Sequence, residues 1–284
     1  MSKKQINILM VIVACIFLFS AGKILVTLVQ QHREKKEFDD LAAQVEAQIR
    51  SDADTQGNAS ENGNADGDNT GAGNTGNASN GERPVMEVDP ETGMLKPYEV
   101  LYEQNHDLFG WIKIEDTGIN YPVMCTPDDM EYYLKRAFSG VDANGGTPFL
   151  DTACTEEGHM YIIYGHHMQN KTMFGTLPYY AEKEYWEAHP LIYFDTLYEQ
   201  GTYEVVAAFY SKVYSADEEG FRYYAYKDLS DEQVFEEFLD GVSRSRLYDT
   251  GVSMEYGDTV LLLSTCSYHT DDGRFVVVAV KRED

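Results

Sequence analysis

Basic residues are scarce in this 284-residue chain: 22 Lys and Arg stand against 48 Asp and Glu, a formal net charge of −26. Binding a phosphate backbone takes clustered cations, and no basic stripe with interleaved aromatics occurs, which argues against nucleic acid as a partner. Cysteine is scarce as well, with four in the chain. Cys15 falls in an apolar N-terminal run, which leaves Cys125, Cys154 and Cys266, an odd set for an exported domain. At least one is a free thiol unless it pairs between chains. Whether Cys125 and Cys154 form a bridge stays open. A chain of this length can build its own core and needs no disulfide framework. Metal-site spacing is missing too: no carboxylate or thiol completes a familiar set with His159, His166 and His167. No internal repeat is present.

Charge is also missing from Ile6 to Gly22, which is dominated by Ile, Leu, Val, Phe and Met. Lys23 interrupts the run and Ile24 to Val29 continues it. Roughly 20 such residues span a hydrocarbon core, and a lysine near the end snorkels to the interface. Lys3 and Lys4 precede the run, as a cytoplasmic N-terminus prefers, while Arg33, Lys35 and Lys36 on the far side oppose that orientation. The competing reading is a cleaved signal peptide with Ser20-Ala21-Gly22 as its site. The length of the run and the absence of a clean A-x-A favour an uncleaved, single-pass anchor in the lipid bilayer. The expected organisation is a short cytoplasmic segment over 1–5, a transmembrane anchor over 6–29 and a juxtamembrane helix over 30–50. A disordered Asn/Gly/Asp-rich linker over 51–93 and a catalytic domain over 94–284 follow. The linker cannot bury enough apolar surface to offset its ordering entropy, so it should tether an extracellular domain near the membrane.

Within the folded part, Pro97 to Leu108 has helical spacing and stops at Gly110. Short strands are expected at 111–114, 119–124, 147–150, 160–164, 191–194, 203–210, 259–265 and 275–280. Thr126-Pro127-Asp128-Asp129 reads as a helix start, Met173 to Ala188 as a helix, and Ser230-Asp-Glu-Gln233 as a capping box opening a helix to about Arg244. The fold class is therefore mainly β with added helices. A twisted mixed barrel of seven to eight strands fits better than a doubly wound sheet. It carries an N-terminal helix and an extra helix before the strand that ends in cysteine.

Two strand exits carry the candidate chemistry. "LLLSTC" is apolar through Leu263 and turns polar at Ser264, Thr265 and Cys266. Arg274 opens the next strand eight residues later. As hairpin neighbours, the two side chains would reach one end of the sheet. A cation lowers a thiol's pKa, and a guanidinium fork suits an oxyanion. "YIIYGHHM" has the same grammar: a strand ends in Gly165, and His166 and His167 follow. Glycine permits a sharp turn there. On extended backbone the two rings point to opposite faces, so one of them shares a groove with Cys266. His32 is juxtamembrane, His106 and His189 belong to helices, and His269 lies in a loop.

At these residues the chain resembles the sortases, the Gram-positive cysteine transpeptidases of the cell surface, and within them class B. "INYPVM", "YYLKRAFSG" and "GGTPFLD" are similar to the class B region before the histidine strand. "YGHHM" is similar to the family's histidine motif, "LLSTC" to its Thr-Leu-x-Thr-Cys signature, and "GRFVVVAVK" to its arginine strand. Leu262 stands where the signature has its first threonine. The resemblance implies a sortase-like barrel with His166, Cys266 and Arg274 as catalytic residues. Ser264, Thr265 and His167 would bind substrate or support the nucleophile. It further implies cleavage of a sorting signal after a threonine through a thioester. The acyl group would pass to an amine such as a peptidoglycan cross-bridge or pilin lysine, with no metal or organic cofactor. Two alternatives stand beside it: an extracellular cysteine peptidase that hydrolyses its acyl-enzyme, and a tethered binding module in which Cys266 is a core residue.

Overall fold

The computed structural model describes residues 3–60, 83–155 and 157–282. Helix α1 (Lys3–Ser60) carries the apolar run and the juxtamembrane segment without a break. After it come α2 (Lys96–Gln104), β1 (Leu108–Lys113), β2 (Asn120–Met124), β3 (Phe149–Leu150) and β4 (Met160–Tyr164). Then follow α3 (Lys183–Ala188), β5 (Leu191–Thr196), β6 (Thr202–Lys212), α4 (Glu232–Ser245), β7 (Val260–Cys266) and β8 (Gly273–Arg282). Among the described residues eight strands close a barrel in the order β1-β2-β3-β4-β7-β8-β6-β5. The pairs β2–β3 and β4–β7 are parallel and the other neighbours antiparallel.

Alternation along the strands makes two cores. Leu261 and Leu263 of β7 join Phe275, Val277 and Ala279 of β8 inside the barrel. Val260 and Leu262 point outward and pack with Val276, Val278 and Val280 beneath Phe235, Phe238 and Val242 of α4. Both faces of β7 and β8 are therefore covered, which is why these strands read as unbroken apolar runs. Leu262, in place of the signature threonine, sits fully buried in this outer core.

Helix α1 docks on the barrel. Phe38, Leu41 and Val45 recur at i, i+3 and i+7 and are buried. The Phe38 ring meets Tyr121 of β2 edge-on at 5.3 Å. Burial of each such side chain is worth about 1.5–3 kcal/mol. The linker expected over 51–93 is described only at its ends. Helix α1 runs on through Ser60, residues 61–82 lie outside the described residues, and residues 83–93 lie against the barrel. There Arg83 ion-pairs with buried Asp195, Met86 is buried, and Val88 bridges to Leu95. Tyr98 donates a 2.5 Å hydrogen bond to the same carboxylate, so Asp195 ties the segment before α2 to β5.

Four local expectations differ from the structure. The helix expected from Pro97 to Leu108 ends at Gln104, and Leu108 and Gly110 already belong to β1. No helix starts at Thr126; its hydroxyl donates to Asp129 O at 2.6 Å to close a turn, and the chain winds only at a short 3₁₀ segment, Tyr132–Lys135. The helix expected over 173–188 is a 3₁₀ segment, Leu177–Ala181, followed by α3. Its first residues cannot be helical, because Met173 has φ +52° and a Cβ on Gly175 would lie 2.3 Å from Met168 O. The cap of α4 is Asp231, not Ser230: its carboxylate accepts from the N–H groups of Gln233 and Val234 at 2.9 and 3.1 Å.

Candidate active site

Cys266 and Arg274 are directly opposed across the antiparallel pair β7–β8. Opposed residues put their side chains on one face, with Cβ atoms about 4.5–5.5 Å apart. Ser264 and Cys266 continue the outward-facing set of β7, beyond the strand positions that α4 covers. That uncovered end is the site. It is a cleft of about 320 Å³, and Leu134, His166, Tyr223, Ser264, Cys266 and Arg274 are among the side chains that line it.

β4 delivers the histidine. It runs parallel to β7 with Tyr164 beside Ser264, so the next residues continue alongside Thr265 and Cys266. Gly165 N donates to Ser264 O at 3.1 Å, and the Thr265 hydroxyl donates to Gly165 O at 2.7 Å, which locks the two strand ends together. His166 Nε2 lies 2.7 Å from Leu134 O. A carbonyl only accepts, so Nε2 carries a proton and Nδ1 is left for exchange. Phe174 N holds the backbone of His166 through its carbonyl at 3.0 Å. The neighbouring ring takes another direction. His167 Nδ1 bonds Cys266 O at 3.0 Å, and its ring stacks on Tyr268 at 5.3 Å. The two rings diverge as alternation demands, and His166 is the one that lines the cleft. Gly165 is needed for space rather than for turning. It lies outside the positive-φ glycines, and a Cβ there would come within 2.7 Å of the buried Phe174 ring.

Neither residue before the cysteine bonds the thiol. Thr265 is spent on Gly165, and Ser264 Oγ is 2.7 Å from the hydroxyl of Tyr223. Burial pushes the Tyr223 hydroxyl up to about 12, so it stays a neutral hydrogen-bonding group at the cleft wall. Arg274 uses Nη1 on the carbonyls of Asp272 and Gly273, at 3.3 and 3.0 Å. That fixes one arm of a five-donor fork and aims the rest. His269 turns away to Ser267 Oγ and Tyr210. The four cysteines are free thiols, so Cys125 and Cys154 form no bridge. Burial raises both of those thiols, Cys154 to about 11. A thiol held that high is a poor nucleophile at neutral pH.

Three contributors were invisible in the sequence. Leu134 acts through its backbone, Tyr223 arrives from the long β6–β7 connection, and Lys227 of that connection ion-pairs with buried Asp151. Asp151 also accepts from Tyr164 OH at 3.0 Å, which pins the connection to the histidine strand. Only Tyr164, a hydroxyl at a strand exit two residues before His166, offered a signal. Among the described residues no group of three or more His, Cys, Asp or Glu side chains is gathered as a metal site.

This architecture has relatives. The sortase domain matches residues 112–282. Sortase B of Staphylococcus aureus is 32% identical over 186 residues, 64% of this chain and 73% of that protein. The chain belongs to the sortase family. Sortase B of Listeria monocytogenes is 31% identical over 181 residues, 62% of this chain and 70% of that protein. Among solved structures, Bacillus anthracis sortase B in complex with AAEK1 has a TM-score of 0.60 at 31% identity, covering 70% of this chain and 90% of that one. A substrate complex of S. aureus sortase B reaches a TM-score of 0.68 over 90% of this chain and 99% of that one; at 22% identity it speaks to the fold alone. The eight-stranded mixed barrel with its long N-terminal helix is thus the sortase B fold, and the class B reading holds. As a sortase, the chain is a cysteine transpeptidase.

Proposed function

We propose that this sortase is a single-pass membrane enzyme with its barrel outside the cell, and that Cys266, His166 and Arg274 carry out the transfer. The carrying observation is the direct opposition of Cys266 and Arg274, with His166 in the same cleft just past the end of the parallel neighbour strand. A sorting signal lies in the cleft, and the Cys266 thiolate attacks the carbonyl carbon of a threonine in it. The carbonyl π pair moves to oxygen, where the free donors of Arg274 meet the new charge. Collapse re-forms the carbonyl and breaks the C–N bond. The leaving amine takes the proton on Nδ1 of imidazolium His166, whose Nε2–H stays on Leu134 O. The product is a thioester between Cys266 and threonine. An incoming amine then attacks it, His166 recovers a proton, and the thiolate departs as the new amide forms. The acceptor is a peptidoglycan cross-bridge amine or a pilin lysine.

Ser264, Thr265 and His167 are assigned supporting roles. Thr265 and Ser264 hold the β4, β7 and Tyr223 walls together, and His167 orients the Cys266 carbonyl. The anchor reading is supported by one helix, among the described residues, that is long and apolar enough to cross a membrane; its most apolar stretch has a mean hydropathy of 2.4 and none of it is buried.

The test is to incubate the full chain, in detergent, with a library of threonine-containing sorting peptides and candidate amines. Intact-mass detection of a peptide adduct on Cys266, and its resolution into an amide on adding amine, is the expected result. An adduct that resolves only to free acid with every amine would favour the peptidase alternative. Turnover that survives Cys266→Ala would refute the assignment.

A further inference from the structure

The helix that would cross the bilayer is the same helix that docks on the barrel, and very little chain separates the two functions. The Glu34 carboxylate accepts from the backbone N–H of Asn144 at 3.0 Å and of Gly145 at 3.4 Å, and Glu37 accepts from Ser139 N at 3.0 Å. With buried Phe38, Leu41 and Val45 they form one stripe at helical spacing. Glu34 lies only five residues beyond Val29, the end of the apolar run. At about 1.5 Å per residue this is about 7–8 Å along the axis. A headgroup layer is about 5–8 Å deep, the difference between a hydrocarbon core of about 30 Å and a bilayer of about 40–45 Å shared over two sides. Docking therefore begins at the outer limit of the headgroups.

The docked loop reaches further toward the hydrocarbon. Ala137, Val141 and Ala143 share a cleft of about 380 Å³ with Leu25, Val26 and Val29 of the apolar run. Val141 is 53% exposed, and the three helix residues are 54–66% exposed. An aliphatic loop tip level with residues that belong in lipid is most simply covered by the same lipid. We propose that the loop over residues 137–145 rests in the interfacial layer of the bilayer, with Val141 as its apolar contact, so that α1 holds the barrel directly on the membrane surface. The proposal rests on the anchor reading above. Its partner is a lipid surface met through apolar contact; Arg33 and Asp142 both line the cleft, so no headgroup charge is favoured. The low-complexity segment then joins the docked part of α1 to Arg83, two places already fixed on one domain, and does not set the reach of the enzyme. Leu134, whose carbonyl holds His166, precedes this loop by three residues, so the loop and the histidine are linked through one short segment.

The test uses tryptophan quenching in the full chain, reconstituted in vesicles of phosphatidylglycerol and phosphatidylcholine with or without brominated acyl chains. The parent chain, with Trp111 and Trp186, is the reference. Phe19→Trp reports on the anchor and Val141→Trp on the loop. Brominated lipid should remove a larger share of emission from both variants than from the parent. Loss in Phe19→Trp without loss in Val141→Trp overturns the proposal and leaves the anchor standing. No loss in Phe19→Trp means that the anchor reading itself has failed. In a further variant, Val141→Trp with Glu34→Ala and Glu37→Ala, quenching of the loop should weaken while that of Phe19→Trp in the same background persists. Undiminished quenching there would show that α1 is not what holds the loop in place.

Discussion

The two adjacent histidines offer the sharpest test of the site, because their rings make different contacts and the proposed mechanism gives each a different job. His166→Ala removes the ring that lines the cleft and bonds Leu134 O at 2.7 Å. A general acid and base contributes roughly 10²–10⁴-fold in rate, so a loss in that range is expected. His167→Ala removes one hydrogen bond to Cys266 O at 3.0 Å and a ring stack on Tyr268 at 5.3 Å. A neutral hydrogen bond is worth about 1 kcal/mol and a ring pair about 0.5–1.5 kcal/mol, together about 2 kcal/mol. If all of that were lost in the transition state, the rate would fall roughly 30-fold. Both contacts exist in the resting enzyme, so the measured loss should be smaller. His269→Ala removes contacts to Ser267 and Tyr210, outside the cleft, and should be milder still. The assay is initial rate on one peptide and one amine for the three variants, with circular dichroism to verify folding. If His167→Ala or His269→Ala proves more damaging than His166→Ala in folded protein, the strand-exit geometry is wrong.

Further outcomes follow from single contacts. Cys266→Ala should abolish adduct formation while Cys125→Ala and Cys154→Ala leave turnover largely intact. In native protein at pH 8, iodoacetamide should spare Cys154, whose thiol at about 11 is protonated there, and mass mapping of the alkylated sites checks this. Asp231→Ala should cost about 1 kcal/mol through loss of the α4 cap, lowering Tm by about 2–4 °C. Ser230→Ala should leave Tm unchanged, and a reversed order in thermal melts would restore Ser230 as the cap. Gly165→Ala should drive a methyl into the Phe174 ring, costing about 1–3 kcal/mol and displacing His166, so activity should fall more than Tm alone explains. Parent-like kinetics in that variant would mean the close packing is slack.

What the sequence revealed and what it hid divide along contact range. Cys266 and Arg274 were legible because a tight antiparallel connection brings them together, and residues 260–266 and 274–280 are apolar enough to announce two strands. The histidine strand was legible for the same local reason, "YIIYGHH" being a strand with an abrupt polar end. Its neighbour was not: β4 pairs in parallel with a strand about a hundred residues away, and nothing in either segment encodes that register. Leu134, Tyr223 and Lys227 were hidden because their contributions come through a carbonyl, a hydroxyl and an ammonium delivered by irregular segments, whose paths no periodicity records. The error at Ser230 came from a pattern that admits two registers; only the backbone shows that Asp231 reaches the free N–H groups.

The helix over 30–50 was expected, but its docking on the barrel was hidden for a different reason. Its stripe of Phe38, Leu41, Ala42, Val45 and Ile49 is an amphipathic face in full view, yet charged residues crowd the turns over 33–40 and recur at Glu46 and Arg50. Beside a membrane segment, such charge reads as solvated surface. A solvated helix, however, has no use for a Phe at the centre of one face, and burying that face requires a partner. In this fold the partners are α2, β2 and the loop that follows the Tyr132–Lys135 segment, whose Leu134 carbonyl bonds His166. The helix proposed to hold the enzyme on the membrane thereby packs on the loop next to the segment that bonds His166. A change confined to residues 34–45 should therefore be felt in catalysis as well as in placement.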